Sequence, residues 1–290
     1  MKNALSIDVE EHFQVAAFDD VVDRASWDSR RSRVEGNTSR LLDILADQDV
    51  QATFFVLGWV AERQAALIRK IHAAGHEIAC HGYSHTRIYQ QSPDTFRQET
   101  RRAKALLEDI VGEAIAGYRA ASFSITAKCL WALDILIDSG FEYDSSIAPV
   151  WHDNYGIPGA EVRPSLVTAP SGASIAELPM STLKVFGLRL PAPGGGYFRL
   201  YPYWFTRRLI RSINRDGRAV NLYLHPWEID AEQERFTAAG WKSRIRHYNN
   251  LDKVDRRLNS VLTEFEFGTC KDVLLDEGLL QGRVAVRKVS

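Results

Sequence analysis

Short apolar segments alternate along the chain with longer segments in which apolar residues recur every three to four positions. The first kind predicts buried strands, and the second predicts amphipathic helices. The predicted strands are residues 4–9, 52–58, 77–80 and 219–224. The predicted helices are one capped by Thr38 and three more at residues 59–74, 93–111 and 126–139, the second of which starts with Ser92 and Pro93. This alternation predicts a parallel sheet covered by helices, in a barrel or barrel-like arrangement.

Residues 148–196 depart from this alternation. They contain seven of the ten prolines and end in three consecutive glycines. We predict long loops with two short strands, placed where such loops build or cover a site. Residues after about 230 are charged and mostly helical. The predicted division is a barrel over residues 1–230 and a C-terminal extension, 231–290, packed on the same domain.

The composition limits the classes of partner. The chain has 36 basic and 37 acidic side chains, so its net charge of −1 provides no overall attraction to nucleic acid or an anionic membrane. Its three cysteines form no C-x-x-C pair and indicate neither a disulfide framework nor a cysteine-rich zinc site. The N-terminal residues lack the unbroken apolar stretch of a signal peptide, and no stretch is long enough for a membrane span. We therefore expect a cytoplasmic protein.

Four segments place polar, titratable residues at the ends of predicted strands, the edge where parallel α/β barrels carry their active sites. Asp8 and Glu10 share one face of the first strand, because side chains alternate along a strand. Two carboxylates there could bind a metal, act as a base or divide the two roles. A solvated strand end is the alternative.

The other three segments carry imidazoles and a guanidinium. His81 and His85 are spaced so that both could bind one metal from a tight loop. Arg119 lies among apolar residues and needs a carboxylate partner if it is buried. His225 closes the last apolar strand and is the best acid–base candidate outside the histidine pair. Each residue taken singly is also compatible with an ordinary core or surface role, and the chain has no H-E-x-x-H, G-x-S-x-G, phosphate-loop or dinucleotide motif.

Taken together and in order, these segments resemble the motifs of the polysaccharide deacetylase family, also called the NodB-homology or carbohydrate esterase 4 family. The matching strings are S-I-D-V at 6–9, H-G-Y-S-H at 81–85, R-A-A-S-F at 119–123 and L-Y-L-H at 222–225. The longer strings DVEEHFQV, GYRAASFSI, PGGGYFRL and LYLHPWE resemble the branch encoded with bacterial exopolysaccharide and exosortase systems. That branch has an extra C-terminal segment, which residues from about 230 onward would form.

The resemblance implies a distorted (β/α)7 barrel, NodB-like, with loop insertions and a helical C-terminal extension. It implies hydrolysis of N-acetyl groups from amino sugars of a poly- or oligosaccharide with one divalent metal, for which zinc is expected and cobalt, nickel or iron are alternatives. In this family pattern Asp8 matches the general base, and His81 and His85 match metal ligands. Arg119 matches the residue that orients the base, and His225 matches the general acid.

Several positions depart from the family pattern. Val9 stands where the family has an Asp ligand, and we predict that Glu10, on the same face as Asp8, completes the metal site. Gly82 replaces a Ser or Thr, and the arginine motif lacks its proline. Asp144 is the nearest candidate for the family's aspartate that tunes the acid histidine.

Two other functions stay open on the sequence. One is hydrolysis of a small amide or ureide, as in allantoinase-like relatives of the fold. The other is a non-catalytic carbohydrate-binding protein, which the missing second aspartate suggests. Four aromatic residues could stack on sugar rings, although a core role fits each equally well: Tyr197, Phe198, Trp151 and Trp227.

Overall fold

The computed structural model describes residues 1–152, 155–185, 188–191 and 193–281. Its fold is mixed α/β, with a curled half-barrel sheet and surrounding helices. The strands are β1 (Asn3–Val9), β2 (Thr53–Val56), β3 (Glu77–Cys80), β4 (Gly117–Tyr118), β5 (Tyr143–Asp144), β6 (Ser165–Thr168), β7 (Ser174–Glu177), β8 (Thr182–Val185), β9 (Leu188–Pro191), β10 (Asn221–Leu224) and β11 (Phe267–Gly268). The helices are α1 (Val34–Asp47), α2 (Gly58–Arg63), α3 (Ala65–Ala73), α4 (Pro93–Val111), α5 (Trp131–Asp138), α6 (Gly195–Leu200), α7 (Tyr203–Arg215), α8 (Trp241–Tyr248), α9 (Val254–Glu264) and α10 (Cys270–Asp276).

The main sheet has the strand order β10-β1-β2-β3-β4-β5-β7-β6, and β11 also pairs with β1. Neighbouring strands from β10 through β7 are parallel, whereas β6 runs antiparallel to β7. Because the parallel strands point the same way, their carboxyl ends form one rim, on which the residues that follow β1, β3, β4 and β10 meet. The predicted α/β fold with a distorted barrel is confirmed, and the barrel is a half-barrel.

The helices bury the outer face of this sheet. Leu41 and Leu45 of α1, Phe54 of β2 and Ile68 of α3 are fully buried in one core cluster. Burial of each such side chain contributes roughly 1.5–3 kcal/mol, so the sheet is a rigid base for the residues on its rim.

Three of the predicted helices are present, one with the predicted start and end and two with different lengths. In α4 the Ser92 side chain accepts a hydrogen bond from the Thr95 backbone, and Gly112 with φ 75° ends the helix, as predicted. The predicted helix 59–74 is divided into α2 and α3 at Gln64, whose backbone is not helical. The predicted helix 126–139 is shorter and corresponds to α5.

The prediction that Thr38 caps a helix was wrong, because Thr38 lies inside α1. The first turn of α1 is instead capped by Glu11, whose buried carboxylate accepts from the backbone N–H groups of Arg33 and Val34. A negative charge at this end also suits the helix dipole. The cap comes from a residue distant in sequence, which a local pattern does not show.

The proline-rich region holds more regular structure than predicted. Its described residues form four short strands, of which β6 and β7 extend the main sheet and β8 and β9 form a separate ribbon. In the C-terminal region β11 pairs with β1. The division at residue 230 remains a prediction, and residues 282–290 of the predicted extension lie outside the described residues. Within the described part of the chain, no helix combines the length and apolar character that a bilayer crossing requires.

Candidate metal centre

The first strand brings two carboxylates to the rim. Asp8 and Glu10 are both buried, and Val9 between them packs in the core cluster under the helices. Side chains alternate along the chain here, so Val9 points away from the rim. The carboxylate available beside Asp8 is therefore that of Glu10.

The loop after β3 brings two imidazoles to the same place. Gly82 has φ 73°, and a Cβ there would lie 3.3 Å from the Tyr118 hydroxyl. His85 also adopts a left-handed conformation, with φ 52°, which is uncommon for a residue other than glycine. This tight turn buries both His81 and His85. This backbone agrees with the tight loop expected for the histidine pair.

Glu10, His81 and His85 converge on one point. Glu10 Oε2 lies 2.8 Å from His85 Nε2 and 4.0 Å from His81 Nε2. One potential ligand atom from each of the three residues lies within 4.8 Å of the others. Glu10 Oε2 is buried and has no hydrogen-bond partner of proper geometry among the described residues. One carboxylate oxygen and two imidazole nitrogens in this arrangement could hold a divalent metal with three protein ligands.

The orientation of His81 suits a ligand. Its Nδ1 lies 2.8 Å from the backbone carbonyl oxygen of Arg119, which can only accept, so the Nδ1 of His81 carries the proton. Burial lowers the pKa of His81 to about 4. The neutral ring therefore directs the lone pair of Nε2 towards Glu10, and the outer hydrogen bond is of the kind that holds metal-binding histidines.

Glu10 is held in place from the other side by Trp227. The indole Nε1–H donates to Glu10 Oε1 over 3.2 Å, which leaves Oε2 facing the histidines. Burial opposes ionisation of Glu10, but His85, His225 and His81 outweigh it and hold the pKa of Glu10 well below its usual range. The carboxylate is therefore ionised and oriented.

Asp8 forms a buried ion pair with Arg119. Arg119 Nη1 donates to Asp8 Oδ1 over 2.7 Å and to Ser6 Oγ over 2.8 Å. Its other nitrogens donate to the backbone and side chain of Ser145, and the guanidinium lies 4.1 Å from the centre of the Phe55 ring. Arg119 thus has the carboxylate partner that burial requires, and it holds Asp8 in one orientation.

His225 lies on the opposite side of these carboxylates. Its Nε2 is 3.6 Å from Glu10 Oε1 and 3.9 Å from Asp8 Oδ2, and its Nδ1 is 2.7 Å from Glu228 Oε1. Burial favours the neutral ring, but the Glu228 hydrogen bond and the charges of Glu10, Glu228 and Asp8 outweigh it and raise the pKa of His225 to about 9.

These contacts correct the prediction that Asp144 tunes His225, because Glu228 takes that position. The Asp144 carboxylate instead accepts a hydrogen bond from the Ser146 hydroxyl and lies buried beside Glu177. The alternation of side chains explains the difference: Ser145 turns towards Arg119, so its neighbour Asp144 turns away.

The buried pair of Asp144 and Glu177 makes stability depend on pH. Burial raises the pKa of Asp144 to about 6, and burial together with the charge of Asp144 raises that of Glu177. The folded state therefore retains protons that the unfolded chain releases. The stability contributed by a protonated Asp144 is fully present below pH 3.8, its unfolded value, and is lost as the pH rises through about 6.

Asp144→Asn changes the free energy of unfolding, and we expect this change to be about 1–3 kcal/mol more favourable at pH 8 than at pH 4. The reason is that the amide cannot ionise, whereas the buried carboxyl of the wild type must ionise as the pH rises. Urea unfolding of both proteins at several pH values measures this difference. Asp43→Asn, which changes an exposed carboxylate on α1, is the control and should give a difference that varies little with pH. If the difference in free energy of unfolding between Asp144→Asn and the wild type were the same at both pH values, or less favourable at pH 8, the buried carboxyl would not be the source of the pH dependence.

The four aromatic candidates for sugar contacts separate by exposure. Phe198 and Trp227 are buried, so their side chains belong to the core. Trp151 is 79% exposed, and Tyr197 is partly exposed. Only the last two of these four retain a surface for stacking.

Three buried residues around the site have roles that the sequence pattern does not predict: Arg199, Trp227 and Glu228. The available signal was charged residues within apolar strings, Arg199 in G-Y-F-R-L and Glu228 in H-P-W-E. A charge in such a string is buried only if it is paired.

Comparison with solved structures defines the class of fold. A structure from Mycobacterium smegmatis assigned as a polysaccharide deacetylase superposes with a TM-score of 0.61 at 22% identity, covering 98% of this chain and 93% of that one. Puue allantoinase gives 0.59 at 15% identity over 93% and 87%. A mutant of a CE4 family pseudoenzyme with restored enzymatic activity gives 0.50 at 14% over 94% and 67%. The fold is that of the NodB-like CE4 deacetylases.

Two family models and a curated relative match parts of the sequence. Residues 8–136 match the family model described as polysaccharide deacetylase, and residues 145–275 match a domain of unknown function, DUF3473. A chitooligosaccharide deacetylase from Bradyrhizobium sp. is 31% identical over 102 residues, which are 35% of this chain and 44% of that protein. The chain is thus similar to polysaccharide deacetylases over residues 8–136, and the alignment spans less than half the length of this relative.

Proposed function

We propose that the protein is a metal-dependent hydrolase that removes N-acetyl groups from amino sugars of a poly- or oligosaccharide. The observation that carries this proposal is the convergence of Glu10, His81 and His85 beside Asp8, with His225 on the other side. The family match over residues 8–136 and the name of the Bradyrhizobium relative support the same activity.

The proposed reaction divides the work between two sides of the site. A divalent cation held by Glu10, His81 and His85 would lower the pKa of a water molecule and polarise the acetyl carbonyl. Asp8 takes a proton from the attacking water, and Arg119 keeps that carboxylate aimed at it. Water adds to the acetyl carbon, the C–N bond breaks, and the products are acetate and a free amino sugar.

His225 supplies the proton that the leaving nitrogen needs. Its Nδ1 is engaged by Glu228, so Nε2 is the atom that faces the reacting groups. An amine leaves poorly as an anion, and a proton from a positioned acid removes this barrier. The two roles of base and acid therefore fall to Asp8 and His225.

The finer parts of the proposal follow from the donor set and from the resemblance. Two imidazoles and one carboxylate suit zinc, and they also accept cobalt, nickel or iron. The longer matching strings support a role in exopolysaccharide synthesis, in the branch with an extra C-terminal segment.

Acetate release from N-acetylglucosamine oligomers tests the proposal. We expect the zinc-loaded protein to release acetate, chelation to stop the reaction, and added metal to restore it. Allantoin and related ureides are the comparison substrates, because the similarity to Puue allantoinase makes ureide hydrolysis the second candidate. Turnover of ureides without acetate release would favour that candidate. A protein that takes up no metal and releases no acetate would favour a non-catalytic, carbohydrate-binding role.

A further inference from the structure

Glu228 is bound to His225 at two points. It lies on the 3-10 turn Pro226–Ile229 directly after His225 and is fully buried. Its Oε1 accepts from the His225 backbone N–H over 3.0 Å and lies 2.7 Å from the ring Nδ1. The two contacts close a ring of atoms, so the imidazole cannot turn about its side-chain bonds without breaking the contact with the carboxylate.

The second oxygen of Glu228 is held by Arg199. The Arg199 Nε donates to Glu228 Oε2 over 2.5 Å, and Arg199 Nη1 donates to the backbone carbonyls of His247 and Asn249. Arg199 is 2% exposed. It therefore ties the 3-10 turn to α6 and to the end of α8, and its charge compensates a carboxylate that would be costly to bury alone.

These contacts aim one atom of His225 at the reacting groups. With Nδ1 held by Glu228 and the ring stacked on Trp227 at 4.9 Å, Nε2 faces Asp8 and Glu10. We propose that Arg199 and Glu228 form a positioning pair that fixes the ring orientation of His225 and directs its Nε2 proton to the leaving nitrogen. This inference rests on the proposed deacetylase function. It also makes residues 145–275 contribute directly to the site.

Two substrates with different leaving groups can show whether Glu228 positions the acid His225 or only supports the structure of the site. An N-acetyl amino sugar needs a proton on its leaving nitrogen, whereas para-nitrophenyl acetate releases a stable phenolate without one. Glu228→Gln keeps the size and one oxygen of the side chain. We expect it to lower kcat for the sugar by about 10- to 100-fold with little change in KM, and to leave ester hydrolysis within about threefold.

A matched control and a double variant sharpen this test. Asp230→Asn breaks another partly buried pair, formed by Asp230 with Arg33, on the same segment but without contact to His225 among the described residues. It should leave the ratio of sugar to ester rates unchanged. Glu228→Gln combined with His225→Ala should be no slower than His225→Ala alone, because Glu228 acts through that ring.

A signal that does not depend on activity keeps the inference separate from the proposed function. The His225 ring proton on Nδ1, identified by its loss in His225→Ala, should give a proton resonance that shifts in Glu228→Gln and stays in Asp230→Asn. If the wild type releases no acetate but this resonance behaves as expected, the proposed function fails and the positioning stands. Equal loss on both substrates, additive effects with His225→Ala or an unshifted resonance would overturn the positioning pair. Glu228→Asp, which keeps the charge, gives the same comparison if Glu228→Gln does not fold.

Discussion

Replacing His81 or His85 with alanine is expected to abolish metal binding and acetate release together. Each imidazole is one of three donors around a buried point, and two remaining donors cannot hold a catalytic cation firmly. A cation bound there would supply several kcal/mol of transition-state stabilisation, so we expect the rate to fall by about 10³-fold or more. The metal content of the purified protein should fall from about one ion per chain to nearly none.

The measurement is metal analysis beside the acetate assay on the same samples. A ligand that binds only the folded state raises its stability, so zinc should raise the Tm of the wild type and have little effect on either variant. His72→Ala is the control, because His72 lies on α3 with a partly exposed side chain and outside the metal group. Full metal content in His81→Ala or His85→Ala would show that the cation is held elsewhere.

The residues on the rim could be predicted from the sequence because the geometry of β-strands is regular. Alternation along β1 placed Asp8 and Glu10 on one side, and the parallel arrangement brought them to the loop that carries His81 and His85. Arg119 needed a carboxylate once it was buried, and Asp8 is that partner. The alternation of side chains, the direction of the strands and the need to pair a buried charge can each be inferred from short stretches of sequence. Together they predict which distant residues meet at the rim.

The contacts that the sequence analysis missed depend on how distant segments meet. Glu11 caps α1 although it lies 23 residues before Val34. The local sequence therefore points wrongly to Thr38 as the capping residue. Arg199 and Glu228 are 29 residues apart and meet only when α6 packs beside the 3-10 turn. A spacing pattern carries no information about such a meeting, because the packing of whole elements decides it.

Because a spacing pattern does not show which segments meet, the sequence points to Asp144 and not to Glu228 as the partner of His225. The family pattern pointed to an aspartate earlier in the chain, and Asp144 was the nearest one. The structure shows that the acid three residues after His225 reaches Nδ1 through a single tight turn. A proline after a strand, followed by a glutamate at this distance, is therefore a signal worth testing in related sequences.

Replacing Asp8 with asparagine is expected to separate metal binding from turnover. The amide matches the carboxylate in shape and can still accept from Arg119, which also keeps its bonds to Ser6 and Ser145. The ligand group of Glu10, His81 and His85 is unchanged, so the metal content should stay near that of the wild type.

The amide cannot take a proton from water, so kcat for N-acetyl sugar oligomers should fall by about 10²–10⁴-fold, the range that a general base contributes. Metal analysis, acetate release and urea unfolding on the same preparation check the three parts. Asp43→Asn is the control for loss of a carboxylate and should keep both metal and rate. A variant with a near-normal rate would show that Asp8 is not the base. A variant that loses its metal would instead make Asp8 a ligand, and the base would then have to be sought among the other carboxylates on the rim.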